Sequence, residues 1–466
     1  MKRLSGLKLV LLSVLAVFVV SGGGLVTVAA WQDSLTVGDV TVTSGEGWKP
    51  LKFMQVDGGR GSSGGLDEDG NFWGWGGEEC GKALTNRPSS EVRGVPVGFR
   101  VAQVGVEESN TVLLDNTGQA WMCGSARYGS LGDGKEVQDS SKVHAPVVKV
   151  VGGHKFIQAA AGGERSFAID KNHKLWGWGS TYGGQLGTTC PDQPNSRNGD
   201  GCSTPVQIPI KNRAGIEANI EKIFTGYERA FAIDKDGNLY GWGWNLSNAI
   251  TGTTDRDIYQ PLLLDDTGKY VEVATGTEHT VAIDKQGNLW GWGYNRDGQL
   301  GLGDPNKTGI YTYTQPTQIN DGRTYTHVTA GQKYTLAISR DGNTYAFGNN
   351  SNGQLGVGDK TNRYTPTLVL GGHKFTQLAA GEFNSLAIDT TGQVWTWGAG
   401  NAIGIGDRGQ SSVPVKPLIK KTNPRHRQEH ANKKSKQPVR GAPPPAARPT
   451  TTEQGGGVGL KSIVLN

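Results

Sequence analysis

The chain repeats one short pattern seven times along its 466 residues. In the regular units a Gly is followed by a β-rich run, an Asp, a tight turn and an aromatic–x–aromatic–Gly ending. The first aromatic stands six residues after the Asp, or after Ser339 in the sixth unit. These aromatics are Trp73, Trp121, Trp176, Tyr240, Trp290, Tyr345 and Trp395. A constant core joined by loops of variable length is typical of a repeat fold built from one supersecondary unit.

Each unit reads as four short strands. In the third unit, residues 156–161, 166–170 and 174–178 have the composition of strands. A fourth run follows a Pro, as in 147–151. Seven such units with no helical segment predict an all-β fold, a seven-bladed β-propeller of four-stranded antiparallel blades over residues 31–419. We expect the last run, 413–419, to pair beside the N-terminal unit.

The repeated Asp is interpreted as a turn former. It opens sequences such as Asp234-Lys-Asp-Gly-Asn and Asp284-Lys-Gln-Gly-Asn, in which Gly supplies the positive φ of a tight hairpin. Near-identical copies of a catalytic residue in every unit would be hard to explain. His154 and His373, which recur in a Gly-Gly-His-Lys-Phe phrase, are likewise expected to pack or to hydrogen-bond.

The two ends differ from the repeats. Residues 1–30 combine a basic start, an apolar stretch and small residues before Trp31, which predicts a secretory signal or, alternatively, an uncleaved anchor. Residues 420–466 hold ten Lys or Arg against two Glu and are rich in Pro, which is typical of a disordered tail. We therefore expect an extracellular or cell-surface protein, with a tail able to contact an anionic wall polymer or membrane surface.

Four cysteines in an exported chain favour disulfides. Cys190 and Cys202 bracket a polar insertion, and a bridge between them would close that loop. Cys80 and Cys123 lie in neighbouring units. Whether these two pair is left open.

The repeat resembles the regulator of chromosome condensation repeat family. The resemblance rests on phrases such as Trp290-Gly-Trp-Gly-Tyr-Asn-Arg-Asp-Gly-Gln-Leu-Gly-Leu-Gly-Asp304 and its counterpart at 347–359. The founding member is a nuclear exchange factor for a small GTPase that also docks on chromatin, whereas exported bacterial members include a β-lactamase inhibitory family that grips another protein with one rim. For an exported chain we expect neither a small GTPase nor nucleic acid as partner.

One rim of the propeller is the candidate binding surface. If the strands alternate in direction, the Gly turns and the loops after the third strands share one edge. Aromatic and Arg side chains there would suit a protein interface, although single residues could instead pack between blades. The candidates are Tyr182, Tyr227, Arg229, Trp244, His279, Tyr294, Tyr334 and Phe383.

The resulting prediction is a non-enzymatic, monomeric binding module for another protein or a surface glycan. Residues 76–82 match the spacing of a phosphate-binding loop, but Ala83 replaces the required hydroxyl. No catalytic residue, cofactor or metal ligand is predicted. Two alternatives stay open: a hydrolase or lyase acting at the central channel, and a structural wall protein held by its tail. Polar residues at the channel that break the repeat symmetry would favour the enzyme.

Overall fold

The computed structural model describes residues 51–77, 89–107, 109–135, 144–191, 201–250, 255–406 and 409–419. Before residue 51 it describes only the backbone of short strands, which are Lys8–Leu12, Leu15–Val19, Val26–Thr27, Ser34–Val37 and Val40–Thr43. The signal prediction falls mostly, and the tail prediction wholly, outside the described residues. No helix of the described part is long and apolar enough to cross a membrane.

Seven antiparallel sheets of four consecutive strands form the predicted blades. The first strands are Phe53–Gly58, Val101–Val106, Phe156–Gly162, Ile220–Thr225, Tyr270–Thr275, Tyr325–Ala330 and Phe375–Ala380. The second strands are Ser62–Asp67, Asn110–Asp115, Arg165–Asp170, Arg229–Asp234, His279–Asp284, Tyr334–Ser339 and Asn384–Asp389. The third strands are Phe72–Gly76, Ala120–Ser125, Leu175–Ser180, Leu239–Trp244, Leu289–Tyr294, Thr344–Gly348 and Val394–Ala399. The fourth strands are Ser89–Val95, His144–Lys149, Gly201–Gln207, Asp257–Asp265, Thr312–Gln318, Arg363–Leu368 and Gln410–Val415.

Helical segments are few and short in the described part of the chain. The 3₁₀ turns Tyr182–Gly184, Leu246–Asn248 and Asn401–Ile403 follow third strands, and one α-helical turn covers Pro305–Thr308. The propeller is thus built almost wholly from strands and the loops between them.

The fourth strands begin earlier than the sequence predicted. In blades 2 to 7 the Pro lies inside the strand, as Pro146 does in His144–Lys149. Pro can lie there because the fourth strand is the outer edge of its sheet and one face of its backbone needs no partner. The register shifts beside these prolines; blade 2, for example, shifts between Met122 and Gly124.

The first strands of neighbouring blades contact one another around the circle, so they surround a central channel. The second aromatics of the endings fill the contacts between blades. Six of them are fully buried: Trp75, Trp178, Trp242, Trp292, Phe347 and Trp397. Trp292 Nε1 donates to the Ala249 carbonyl of the preceding blade at 2.9 Å. Burying such large rings contributes much of the apolar core.

The ring closes between blades 7 and 1. Strand 410–415 completes blade 7, and just beyond it the Val92 N–H donates to the Leu418 carbonyl at 2.8 Å. Ile419 forms a parallel bridge with Val92. The predicted pairing of this last run beside the N-terminal unit is therefore confirmed for its end, whereas its start belongs to blade 7.

The turns between second and third strands form what we call the hairpin edge. In blade 5, Asp284 Oδ1 accepts the N–H groups of Gln286 and Asn288 at 3.0 and 2.8 Å, and Oδ2 accepts Trp290 Nε1 at 2.9 Å. Asp67, Asp115, Asp170, Asp234 and Asp389 bond the corresponding aromatic in the same way. The interpretation of the Asp as a turn former is confirmed.

The repeated histidines pack on the same edge. The His154 ring lies 3.9 Å from the Trp176 ring and the His373 ring 3.7 Å from the Trp395 ring, measured between centroids. Burial lowers the pKa of both histidines. They are packing residues, as expected.

The Cys190–Cys202 disulfide is present, with the two Cα atoms 5.4 Å apart. Cys123 is also disulfide-bonded. Cys80 lies outside the described residues, so its pairing stays a prediction.

Candidate functional site

The turns between first and second strands surround one end of the channel, and we call this end the mouth edge. Loops after the third strands lie on the same edge, since the N–H groups of Trp244 and Tyr294 donate to the carbonyls of Glu228 and Glu278 in these turns at 2.9 and 2.8 Å. Alternating strand direction therefore places the predicted turn and loop residues at one edge of the propeller.

Five of the eight predicted rim residues reach the surface there. Tyr182, Tyr227 and Phe383 are 48, 39 and 39% exposed. Trp244 and Tyr294 are half-buried. The Tyr182 and Trp244 rings meet edge to face at 5.5 Å between centroids.

Glycine permits that aromatic pair. Gly183 has a φ of +55°, and a Cβ built on it would lie 1.8 Å from Trp244 Nε1. A side chain at position 183 would therefore displace Trp244, so the loop of blade 3 and the ring of blade 4 share one surface.

The other three predicted rim residues are buried, which corrects the expectation that they are exposed. Arg229, His279 and Tyr334 are 0% exposed. Each begins a second strand, and its side chain lies against the next blade instead of solvent. These three residues follow the alternative of packing between blades.

These three belong to a complete ring of buried polar side chains, which we call the clamp ring. Its members each begin a second strand and are at most 1% exposed. They are Ser62, Asn110, Arg165, Arg229, His279, Tyr334 and Asn384. Each stands five positions before the repeated Asp or Ser339, and this constant spacing is a signal that the sequence contains.

Arg229 shows how the clamp ring joins blades. Its Nη1 donates to the Gly276 carbonyl at 2.8 Å and its Nη2 to the Thr277 carbonyl at 2.7 Å, both in the next blade. Arg165 makes the corresponding bonds to the Tyr227 and Gly226 carbonyls at 2.9 and 3.2 Å. Burial lowers the pKa of both guanidinium groups to about 10, which leaves them charged at neutral pH.

The rest of the clamp ring uses neutral groups. His279 Nε2 lies 3.2 Å from Thr335 Oγ1, and burial, with nearby Arg229, lowers the pKa of His279 to about 3. The Tyr334 hydroxyl donates to the Asn384 carbonyl at 2.6 Å. Asn384 Nδ2 donates to Ser63 Oγ at 3.2 Å and so bonds blade 7 to blade 1.

A second ring of polar residues occupies the third position of each first strand, and the sequence reasoning missed it. Gln55 exchanges two hydrogen bonds with the backbone of Val104 in the next blade, at 2.8 and 3.0 Å. Gln103 and Gln158 do the same, and Gln377 accepts one bond, from the N–H of Val56. Every member stands twelve residues before the repeated Asp or Ser339, which is the signal that could have found it.

Three consecutive blades replace these glutamines by ionisable residues. Lys222 Nζ donates to the Val271 carbonyl at 3.0 Å. His327 Nδ1 lies 2.6 Å from Glu272 Oε1, and its Nε2 lies 3.3 Å from the Leu378 carbonyl oxygen. Both partners of the imidazole are acceptors, so both ring nitrogens can donate at once only when the ring is protonated. Burial alone would lower the pKa of His327, but the hydrogen bond and charge of Glu272 raise it.

A cavity of about 380 Å³ opens at the mouth edge and is lined by residues from all seven blades. Its lining includes the carboxylates Asp57, Glu107, Glu228, Glu272 and Glu382, and the basic side chains Arg60 and His327. Burial raises the pKa of Asp57 to about 6 and also raises the pKa of Glu228. Most of the ionisable groups that line the cavity are thus carboxyls, and burial disfavours the ionised forms of Asp57 and Glu228.

Arg60 crosses the entrance of this cavity. Its Nε donates to Glu382 Oε2 of blade 7 at 2.9 Å. Its guanidinium carbon lies 5.8 Å from the ring centroid of Tyr227 in blade 4. No group of three or more His, Cys, Asp or Glu side chains suited to a metal ion occurs among the described residues.

Comparisons with known proteins agree with this architecture. The model of the RCC1-like domain matches residues 85–433. The ultraviolet-B receptor UVR8 of Arabidopsis thaliana is 27% identical over 332 residues, which cover 68% of this chain and 70% of that protein. The regulator of chromosome condensation of Xenopus laevis is 26% identical over 287 residues, or 58% of this chain and 64% of that protein.

A solved structure of yeast RCC1 (Prp20), bound to Kap60, superposes with a TM-score of 0.63 at 22% identity. The alignment covers 80% of this chain and 84% of that chain. At this identity the likeness supports the fold alone.

Proposed function

Since the chain belongs to the RCC1-like domain family, we propose that it is a non-enzymatic module that binds another protein through its mouth edge. The observation that carries this proposal is the aromatic surface formed by Tyr182 and Trp244, with Tyr227, Tyr294 and Phe383 on the same edge. Exposed aromatic rings bury a large area on binding and lose little conformational freedom, which makes them frequent anchors of protein interfaces.

One solved structure of the same fold supports a protein as the ligand. It is the structure of yeast RCC1 (Prp20) bound to Kap60. A propeller of this fold can therefore hold another protein, and we favour a protein over a surface glycan for this chain.

The channel residues that break the repeat symmetry bear on the enzymatic alternative. Lys222, Glu272 and His327 replace glutamines, as an active site would require, but each is bonded to a neighbouring blade. We interpret them as substitutes for the glutamine contacts. Because each of the three already bonds to a neighbouring blade, the binding function is the better proposal.

The place of action is part of the same proposal. We propose that residues 1–30 direct export and that the basic residues 420–466 add a salt-sensitive contact with anionic wall or membrane surface. N-terminal sequencing of the mature protein and salt extraction of the producing cells test this. A mature chain that retains residues 1–30 in the cytoplasm would reject export.

A capture experiment tests the binding function. Full-length protein is immobilised and incubated with envelope extracts, and retained proteins are identified by mass spectrometry. Binding of a retained, then purified, partner is measured for Tyr182→Ala combined with Trp244→Ala. We expect affinity to fall at least tenfold, because truncating a central aromatic pair removes about 2 kcal/mol or more.

The control is Ile157→Ala, a truncation of a 48% exposed side chain in the first strand of blade 3 near the hairpin edge. It should leave affinity unchanged. Retention of a glycan polymer alone, or a partner whose affinity falls only with the control, would reject the mouth edge as a protein-binding surface.

A further inference from the structure

The cavity at the mouth edge combines carboxylates with an apolar wall. Glu107, Glu228, Glu272 and Glu382 line it together with Asp57, and Phe224, Val273 and Val328 line it as well. Lysine and arginine side chains have this same division, with an apolar stem and a cationic head. A cavity of about 380 Å³ lies within the range of small-ligand clefts, which is roughly 300–1,000 Å³.

Glu228 is the second, independent observation. Glu228 is one of the residues that line the cavity, and it is only 9% exposed. Its Oε2 has no hydrogen-bond partner within the described part of the chain. A buried carboxylate oxygen without a partner costs free energy, which a cation brought within hydrogen-bond distance of that oxygen would recover.

The two buried arginines next to Glu228 do not remove this need. Arg165 and Arg229 favour its ionised form by their charge, but their Nη groups donate to carbonyls, to Gln185 and to Thr275. Burial still raises the pKa of Glu228 above its ordinary value. The arginines therefore compensate the carboxylate only in part.

Arg60 shows that a guanidinium fits at this entrance. It takes Glu382 as its ion-pair partner and Tyr227 as its aromatic partner, and its side chain is 44% exposed. Because the arginine side of this ion pair is exposed to solvent, the guanidinium can exchange for another cation at Glu382.

We propose that the mouth cavity receives one basic side chain, a lysine or arginine presented by the protein that docks on the mouth edge, and that this cation takes the position of Arg60. This inference rests on the proposed protein-binding function and adds the chemistry of the contact. Glu228 and Glu382 hold the cationic head, and Phe224 and Val273 contact its apolar stem.

The test uses the full chain and two short Gly/Ser peptides that differ in one central residue, arginine or its neutral isostere citrulline. Binding is measured by titration calorimetry or NMR at low and high salt. We expect the arginine peptide to bind at least tenfold more tightly than the citrulline peptide, because charge-assisted hydrogen bonds are about twice as strong as neutral ones. The preference should weaken as salt is added.

Substitutions of the cavity residues test whether the arginine peptide binds in the cavity. Glu228→Gln, which keeps the size of the side chain, should weaken the arginine peptide about tenfold, and the more exposed Glu382→Gln should weaken it several-fold. Arg60→Ala should strengthen binding several-fold because it vacates the entrance. Glu68→Gln, an exposed carboxylate at the hairpin edge, is the matched control and should change nothing.

Equal binding of the two peptides, or a preference insensitive to both Glu228→Gln and Glu382→Gln, would overturn the inference. The assay needs no natural partner, so its outcome is separable from that of the capture experiment. If the aromatic variants release the partner but the peptides bind equally, only the cavity inference fails. If the arginine peptide is preferred but the aromatic variants retain the partner, the proposed aromatic surface fails.

Discussion

The hairpin edge and the mouth edge both hold the turns between consecutive strands, but they do so with different contacts. At the hairpin edge, six blades use the same Asp to hold the turn and the first aromatic of the ending. At the mouth edge, the seven clamp positions carry five kinds of polar side chain. The hairpin contact lies within one blade, whereas six of the seven clamp side chains bond to the next blade.

That difference has a physical cause. A contact within a blade meets the same neighbours in every repeat, so one residue serves all copies. A contact between blades need only match its own neighbour, and each junction can therefore hold a different pair. The mouth edge is free to diverge while the propeller stays closed, which suits it to recognition.

The largest expected effect comes from breaking a clamp. Arg229→Met should lower the free energy of unfolding by about 3 kcal/mol, because it leaves the buried carbonyls of Trp244, Gly276 and Thr277 without their charged donor. Urea unfolding measures the loss. Lys235→Met, an exposed substitution in the hairpin of the same blade, is the control and should cost less than about 0.5 kcal/mol.

Hydrogen exchange sharpens the comparison. With Arg229→Met, faster exchange should extend over blades 4 and 5, since the lost bonds cross between them. Exchange changes confined to blade 4, or a loss below about 1 kcal/mol, would contradict the assignment of Arg229 as a blade-to-blade clamp.

A hairpin break should be smaller and local. Asp284→Ala should cost about 1–2 kcal/mol, because Gln286, Asn288 and Trp290 lose an acceptor that water replaces only in part. Faster hydrogen exchange should stay within blade 5. Asp236→Ala, an exposed hairpin carboxylate in blade 4, is the matched control and should be nearly neutral.

Acid should remove the same contribution. Burial opposes ionisation of Asp284, but hydrogen bonds from Asn288, Trp290 and Gln286 outweigh it and lower the pKa of the carboxyl. The stabilisation is therefore present above the unfolded pKa, near 3.8, and is lost as pH falls through the lower folded value. The stability difference between the wild type and Asp284→Ala should shrink below about pH 4. A difference that stays constant to pH 2 would show that the carboxylate form is not what holds the turn.

The two edges also differ in how far the sequence predicts them. The Asp hairpins and the strands follow from local spacing and turn chemistry, and they were found. The burial of Arg229, His279 and Tyr334 was not predicted. A polar residue at the start of a strand gives the same sequence pattern whether its side chain faces solvent or the next blade. The cavity was missed for a similar reason, since its lining comes from seven distant segments that only ring closure brings together.

The smallest expected effect comes from restoring the symmetry of the first strands. His327→Gln puts at blade 6 the side chain that Gln55, Gln103, Gln158 and Gln377 supply elsewhere, so the fold should tolerate it. Glu272 raises the pKa of His327 in the folded protein. The contribution of the charged imidazole to the free energy of unfolding is therefore fully present below the unfolded pKa of about 6.5, and it is lost as pH rises through the folded pKa. The variant should be less stable than the wild type at pH 6, by no more than about 1 kcal/mol.

At pH 9 that difference should close, because a neutral His327 can donate from only one ring nitrogen and holds one of its two acceptors. His154→Gln is the matched control with the opposite sign: burial lowers the pKa of His154, so its contribution is lost as pH falls. Urea unfolding of the three proteins at pH 6 and pH 9 makes both comparisons. If the free energy of unfolding depends on pH in the same way for the wild type and for His327→Gln, then His327 contacts Glu272 without a charged imidazole. In that case His327 would differ from the glutamines of the other blades in residue type alone.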